Sequence, residues 1–446
     1  MSLWATLRTA IVGTLIGSLS ATTHAGSNAA KFTVLHHFNG TNGQAPQSTL
    51  VIDDSGTLFG VTQSGGTNGT GVVFALFPPA AGQTAWTERV LYNFTGGVDG
   101  GHPYGSLTSD GAGGFYGTTA AGGDQQCILD TVNGCGVVFH LTPPVAGKSS
   151  WKQTVLYAFK GGANDGARPR YLKLLVDKSG SIYGTASLGG DLTCDPLGCG
   201  GVFKLTPPAT GKTAWTEQIL RMFRGGNDGM FPWTGLIADD FGNLWGTTGW
   251  GGVHQAGIIF ELEPPISGEG RWTEKIIHAF KGGTGNPVSA LVAGADGSFY
   301  GTTFDGGTSG SGTAFQLGPQ SDSPAPRTFR ILHSFSQNMS GGFFPLAELI
   351  LDKSGNLYGA TEDGGGLEDT NAKKGAGVIF KLLSPSLSQP GWTKQVLHSF
   401  SILRPNNGEA PLGGLVSLDG QTFYGTTILG GSPGGSGDGV VFKLDQ

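Results

Sequence analysis

Val34-Leu35-His36-His37-Phe38 begins a pattern that the chain repeats from end to end. The run closes on Phe and leads to Pro46, an apolar stretch to Ile52 and the turn Asp53-Asp54-Ser55-Gly56. Leu58-Phe59-Gly60-Val61-Thr62 follows, then Gly65-Gly66, then Val72-Val73-Phe74-Ala75-Leu76. The aromatic–glycine step returns at Tyr116-Gly117, Tyr183-Gly184, Trp245-Gly246, Tyr300-Gly301, Tyr358-Gly359 and Tyr424-Gly425, which with Phe59-Gly60 makes seven copies. A unit recurring at this spacing is one supersecondary element that cannot bury its apolar face alone and must stack on its neighbours.

Each copy carries four apolar runs of strand length bounded by Gly, Pro, Asn and Asp. No helical periodicity appears after the first 25 residues. Seven such units predict an all-β fold, a seven-bladed β-propeller of four-stranded antiparallel blades. In the fourth copy the strands, from the innermost outward, are expected over 232–239, 243–248, 257–262 and 272–280. The N-terminal strand, 32–38, then completes the blade begun by the last repeat and closes the ring, which protects an edge. Blades that each equal one uninterrupted repeat are the competing register.

Composition agrees. Gly contributes 81 of 446 residues with no collagen period, as expected where many tight turns join short strands. A net charge of -6 without a basic cluster argues against a nucleic-acid surface. Residues 1–25 read as a secretory signal peptide, with Arg8, an apolar run from Thr9 to Leu19 and a small residue near Ala25. The run is short for a membrane span, although an uncleaved anchor is the alternative. Residues 26–446 then form a single propeller domain, secreted or periplasmic, with no transmembrane span in the mature chain and expected to be a monomer. Cys127, Cys135, Cys194 and Cys199 form two close pairs in equivalent loops of neighbouring repeats. In an exported protein local disulfides are the simplest of three connectivities, and a zinc reading is weaker because no His flanks the pairs. No cofactor or metal is expected.

The turns between first and second strands, and the Pro-Pro turns between third and fourth, are short and regular. They share one end of the ring. The loops at the other end vary in length (122–136, 189–200 and 364–377), which makes that upper face the candidate for function.

An Asp-x-x-Gly turn, an aromatic-Gly-Thr-Thr strand, a Gly pair and a Gly-Val-Val-Phe-Lys-Leu strand together resemble the GloVer-type, or choice-of-anchor, tandem repeat of exported bacterial proteins. The clearest copies are Phe115-Tyr116-Gly117-Thr118-Thr119, Phe299-Tyr300-Gly301-Thr302-Thr303 and Phe423-Tyr424-Gly425-Thr426-Thr427. The resemblance implies a bacterial host and carries no activity. The chain departs from it in showing no C-terminal anchor.

Residues that break the repeat point to chemistry. His36, His278, His333 and His398 share one place in the pattern and read as structural, as do the turn residues Asp53, Asp177, Asp239 and Asp352. The entry to the innermost strand reads Gln47, Tyr104, Tyr171, Trp233, Val288, Leu346 and Leu412 around the ring. Tyr104, Tyr171 and Trp233, with Trp250 before Gly251-Gly252, are therefore candidate ligand-binding aromatics at the channel mouth, suited to stacking on sugar rings. Packing under the cysteine-bearing loops is the alternative. Asp305, Glu348, Glu362 and Asp363 place acids on the opposite arc, where a carboxylate pair could run glycoside hydrolysis. His102 and His254 are candidate general bases. Arg168 and Arg170 are the nearest partners for a uronate carboxylate. The leading expectation is a ligand- or partner-binding protein, favouring a glycan or cell-envelope polymer. A polysaccharide lyase or hydrolase using His102, His254, Glu348 or Asp363 is the alternative, and a structural surface protein the third.

Overall fold

The computed structural model describes residues 30–129, 132–171, 173–266, 270–283, 285–320, 326–337, 340–366, 375–402, 405–431 and 437–446. The expected signal segment, 1–25, lies outside them. The chain forms a ring of seven antiparallel blades. Blade 4 is representative: Ile237–Ala238, Leu244–Thr248, Ile258–Glu263 and Thr273–Ala279 run from the channel outward. The innermost strand is shorter than 232–239, because only two residues pair in the ladder. Pro232 has no N–H to donate, and the residues after it bond sideways to other blades, as where the Thr185 hydroxyl donates to the Thr234 carbonyl at 2.8 Å.

Blade 7 takes strands from both chain ends. Lys31–His37 pairs with Val440–Asp445, which pairs with Thr422–Thr427, and Val416 bridges Tyr424 on the channel side. The competing register, one uninterrupted repeat per blade, is thereby excluded.

The repeated residues have identifiable packing roles. The Phe that closes each outermost strand lies against the third-strand Phe of the next blade: Phe38 on Phe74, Phe94 on Phe139, Phe159 on Phe203, Phe223 on Phe260, Phe280 on Phe315, Phe335 on Phe380 and Phe400 on Phe442, at 5.1–5.6 Å. All are buried. Burying each ring contributes roughly 1.5–3 kcal/mol. The glycine of the aromatic–glycine step is a requirement of the same packing, since a Cβ on Gly246 would lie 2.6 Å from the Phe260 ring and 2.9 Å from Leu236. The turn aspartates accept bonds from the backbone ahead, and Asp177, Asp239 and Asp352 accept from that aromatic as well. Asp177 takes the Ser179 and Ser181 N–H groups and the Tyr183 hydroxyl, and Asp239 takes the Trp245 indole N–H. Burial opposes ionisation of Asp177 and Asp352, but these hydrogen bonds outweigh it and hold both carboxyls below the ordinary range. The repeated histidines lie in the seams between blades: His278 stacks on Phe329 and His398 on Phe32, both at 3.8 Å.

Candidate functional site

The seven prolines that lead into the innermost strands follow residues in the left-handed region: Ala45, His102, Arg168, Phe231, Asn286, Phe344 and Ala410, with φ between 50° and 59°. This conformation costs a non-glycine residue about 1–2 kcal/mol. It persists because two backbone bonds clamp it. The residue's N–H reaches the upper loop of the preceding blade, as Phe231 does to the Cys199 carbonyl at 2.9 Å, and its carbonyl accepts from the second strand of its own blade, as from Gly249 N–H at 3.0 Å. The clamp aims the residue after each proline into the channel mouth.

There the chain encloses an open cavity of about 510 Å³, within the size range of small-ligand sites. All seven expected entry positions line it: Gln47, Tyr104, Tyr171, Trp233, Val288, Leu346 and Leu412. Trp250 lines it too, as do Phe304 and Asp305 from the equivalent loop of blade 5. Tyr171 and Trp250 are 48% and 44% exposed, so the mouth is not plugged by these rings. Tyr104 and Tyr171 meet edge to face at 5.2 Å, and Trp233 stacks on Phe231 at 6.1 Å. Gln63 links Gln47 to the Tyr104 hydroxyl, which fixes that end of the arc.

Blade 3 departs from the pattern. Six blades place three residues between the proline and the buried leucine of the inner strand, and blade 3 places four, Arg170-Tyr171-Leu172-Lys173. Arg170 therefore holds the position directly after the proline, and Tyr171 is the added residue, with φ 53°. The insertion carries two cations to the wall, since Arg170 and Lys173 both line the cavity. The Arg170 guanidinium lies over the Tyr104 ring at 5.2 Å, and its buried Nε has no hydrogen-bond partner. Nearly half of the Tyr171 surface is open, yet the walls around its hydroxyl desolvate it and raise its pKa; Tyr104 and Glu362 add to this, and Arg170 opposes it. Lys173 is a lining residue that the sequence pattern did not single out; counting back from Leu174 rather than forward from Pro169 finds it.

Of the acids, Asp305 and Glu348 line the cavity. Asn286 donates to Asp305 at 2.5 Å. Glu348 also borders the space on the lower side of the channel, so it stands at mid-depth. Protein surrounds it and burial raises its pKa, with Lys173 pulling in the opposite direction, although part of its surface still meets the channel. The remaining candidates are not brought into the lining. Asp363 is 7% exposed in the loop of blade 6. His102 is one of the seven clamped residues, its Nδ1 3.1 Å from the Gln63 carbonyl. His254 lies on the exposed loop of blade 4. Arg168 is likewise a clamped residue and is buried. Among the described residues no three His, Cys, Asp or Glu side chains converge as a metal site.

The two disulfides form locally, Cys127–Cys135 and Cys194–Cys199. The Cys135 carbonyl accepts from Arg168 N–H at 2.8 Å, and the Cys199 carbonyl from Phe231 N–H. Each bridge thus braces the clamp that presents Arg170 and Tyr171, or Trp233, to the cavity.

The molecule is by class a closed seven-bladed propeller with an open cavity at one pole. The model of the Gloeobacter/Verrucomicrobia repeat matches residues 16–195, 128–365 and 266–446, and the chain belongs to that family. No curated protein matches it. Among solved structures it is similar to a PQQ-bound aldose sugar dehydrogenase from Streptomyces coelicolor, at 12% identity and TM-score 0.40, covering 93% of this chain and 98% of that one. It is also similar to a protein from Bacteroides uniformis described as a 6-phosphogluconolactonase, at 13% identity and TM-score 0.47, covering 79% and 86%.

Proposed function

We propose that this protein is an exported, monomeric glycan-binding propeller whose site is the cavity at the channel mouth. The observation that carries the reading is the arc Tyr104, Tyr171, Trp233 and Trp250 along one side of an open cavity. Aromatic faces held by a rigid scaffold bind sugar rings by stacking, and the facing polar groups fix orientation. Export accords with the two disulfides, and no helix of the described residues is long and apolar enough to cross a membrane. The test is titration calorimetry of the full chain with oligosaccharides of plant and bacterial polymers. Substituting Ala at Tyr104, Tyr171 and Trp233 together should weaken binding at least tenfold, about 1.4 kcal/mol, with the fold retained. Unchanged binding by that variant would remove the arc from the site.

One observation favours a hydrolase as the second reading. Asp305 and Glu348 line the same cavity, and burial raises the Glu348 pKa, as suits a general acid. New reducing ends from a polysaccharide panel, abolished in Glu348→Gln, would establish it.

A further inference from the structure

We propose that the ligand of this cavity is an acidic sugar, whose ring lies on the aromatic arc and whose single carboxylate is taken by Arg170 and Lys173. The inference rests on the glycan-binding reading and narrows it to a substrate class. Its basis is the insertion in blade 3. At the position after the proline the other six blades carry Gln47, Tyr104, Trp233, Val288, Leu346 and Leu412, and at the inner position they carry Thr49, Ser106, Gly235, Ala290, Glu348 and Gly414. Neither set includes a cation. Blade 3 supplies one at each position, in a chain whose net charge is -6.

Neither cation forms an ion pair among the described residues. Arg170 keeps a buried Nε without a partner, and stacking on Tyr104 orients its planar fork beside the arc. A guanidinium so held matches a carboxylate with two parallel hydrogen bonds, and a nearby ammonium adds a point charge. Arg170 and Lys173 stand across the cavity from Asp305 and Glu348, so the lining carries no surplus of positive charge and suits one localised negative charge at the blade 3 wall better than the nearly two of a phosphate ester. A uronic acid residue combines the apolar ring face with one such charge.

The test is calorimetry of the full chain with trigalacturonate, neutral galactotriose, a sulfated galactose trisaccharide and galactose 6-phosphate. Trigalacturonate should bind at least tenfold tighter than the neutral trisaccharide and weaken as salt rises. Arg170→Gln and Lys173→Gln should each remove about tenfold of the trigalacturonate affinity and shrink its margin over the neutral trisaccharide by the same factor. Lys173 is exposed, so its variant keeps the fold, which circular dichroism checks. Equal affinity for charged and neutral sugars, or no effect of either variant, overturns the acidic-sugar inference and leaves the glycan reading standing. Preference for the sulfated or phosphorylated sugar overturns the carboxylate assignment. Absence of binding to every sugar overturns both.

Discussion

Lys173 and Glu348 occupy the same position of the repeat in blades 3 and 6, each two residues before the paired residues of the inner strand, and both line the channel cavity. Three blades apart is as far as two blades of seven can be, so the cation and the acid belong to opposing walls. Their charges nevertheless interact, because Lys173 lowers a Glu348 pKa that burial raises.

This relationship fixes the sign of two substitutions. A buried acid with a raised native pKa costs stability when ionised, so the cost appears above the unfolded-state pKa and is complete above the native one. Glu348→Gln should raise the melting temperature at pH 8 and leave it nearly unchanged at pH 4. Lys173→Met removes the favourable charge and should lower it at pH 8. Calorimetric melts at both pH values decide the matter, and a pH-independent effect of Glu348→Gln would show that the carboxyl is not held against its ionisation.

Packing around the aromatic–glycine step yields a stability prediction. A Cβ at Gly246 meets both Phe260 and Leu236 in a core without room to give. Gly246→Ala should cost about 1–3 kcal/mol by overpacking, despite the ordinary preference for Ala over Gly within regular structure. Urea unfolding measures it. Gly211, with open space around the built Cβ, serves as a positional control for crowding, although its φ of 80° carries a strain of its own.

These two sites show why the fold was legible and the cavity only partly so. The seven-fold recurrence reports contacts that every blade must make: Phe on the next blade's Phe, Gly beneath the ring, Asp at the turn. Entry positions were legible for the same reason in six blades, where they stand directly after the prolines; in blade 3 that place belongs to Arg170, and the pattern pointed instead to the added Tyr171. Lys173 escaped because the insertion shifts the spacing in blade 3 alone. His102 attracted attention because a histidine occurs only once at its position, yet the position is a backbone clamp in all seven blades, defined by φ rather than by side chain. Depth was also invisible. Glu348 and Asp363 belong to the same blade, and only the fold distinguishes the one lining the channel from the one buried in the loop.

The disulfides predict a coupling between stability and binding. Each closes a short loop, worth about 2–3 kcal/mol in the chain-entropy model, and each braces the clamp beside an arc residue. Replacing Cys127 and Cys135 by Ser should lower unfolding free energy by about that amount and weaken ligand binding through Arg170 and Tyr171. Replacing Cys194 and Cys199 should act through Trp233. Chemical denaturation and calorimetry on the two variants separate the effects, and full affinity in both would show that the clamps hold without the bridges.

Acid should act through the seam histidines. Burial pushes the pKa values of His36, His278, His333 and His398 down to about 4, and neighbouring His37, Lys281 and Lys394 add to the shift for the first three respectively. The native chain keeps these rings neutral, while the unfolded chain protonates them near 6.5, so between those values the unfolded state binds more protons. Their contribution is complete above pH 6.5 and declines as pH falls towards 4. Glu217 and Glu274, raised by burial from 4.5 to about 7 and about 8, slope the other way from about pH 4.5 upward, through the whole window between pH 5 and pH 7.5. A comparison within one protein would mix the two, so the measurement is a difference. Urea midpoints at pH 7.5 and pH 5 are compared for the parent chain and for the variant with His278→Gln and His398→Gln. Loss of the two ring stacks lowers both of the variant's midpoints, whereas its drop between the two pH values should be smaller than the parent's, because two proton acceptors of the unfolded state are gone. Equal drops would mean that the seam rings are protonated in the folded protein.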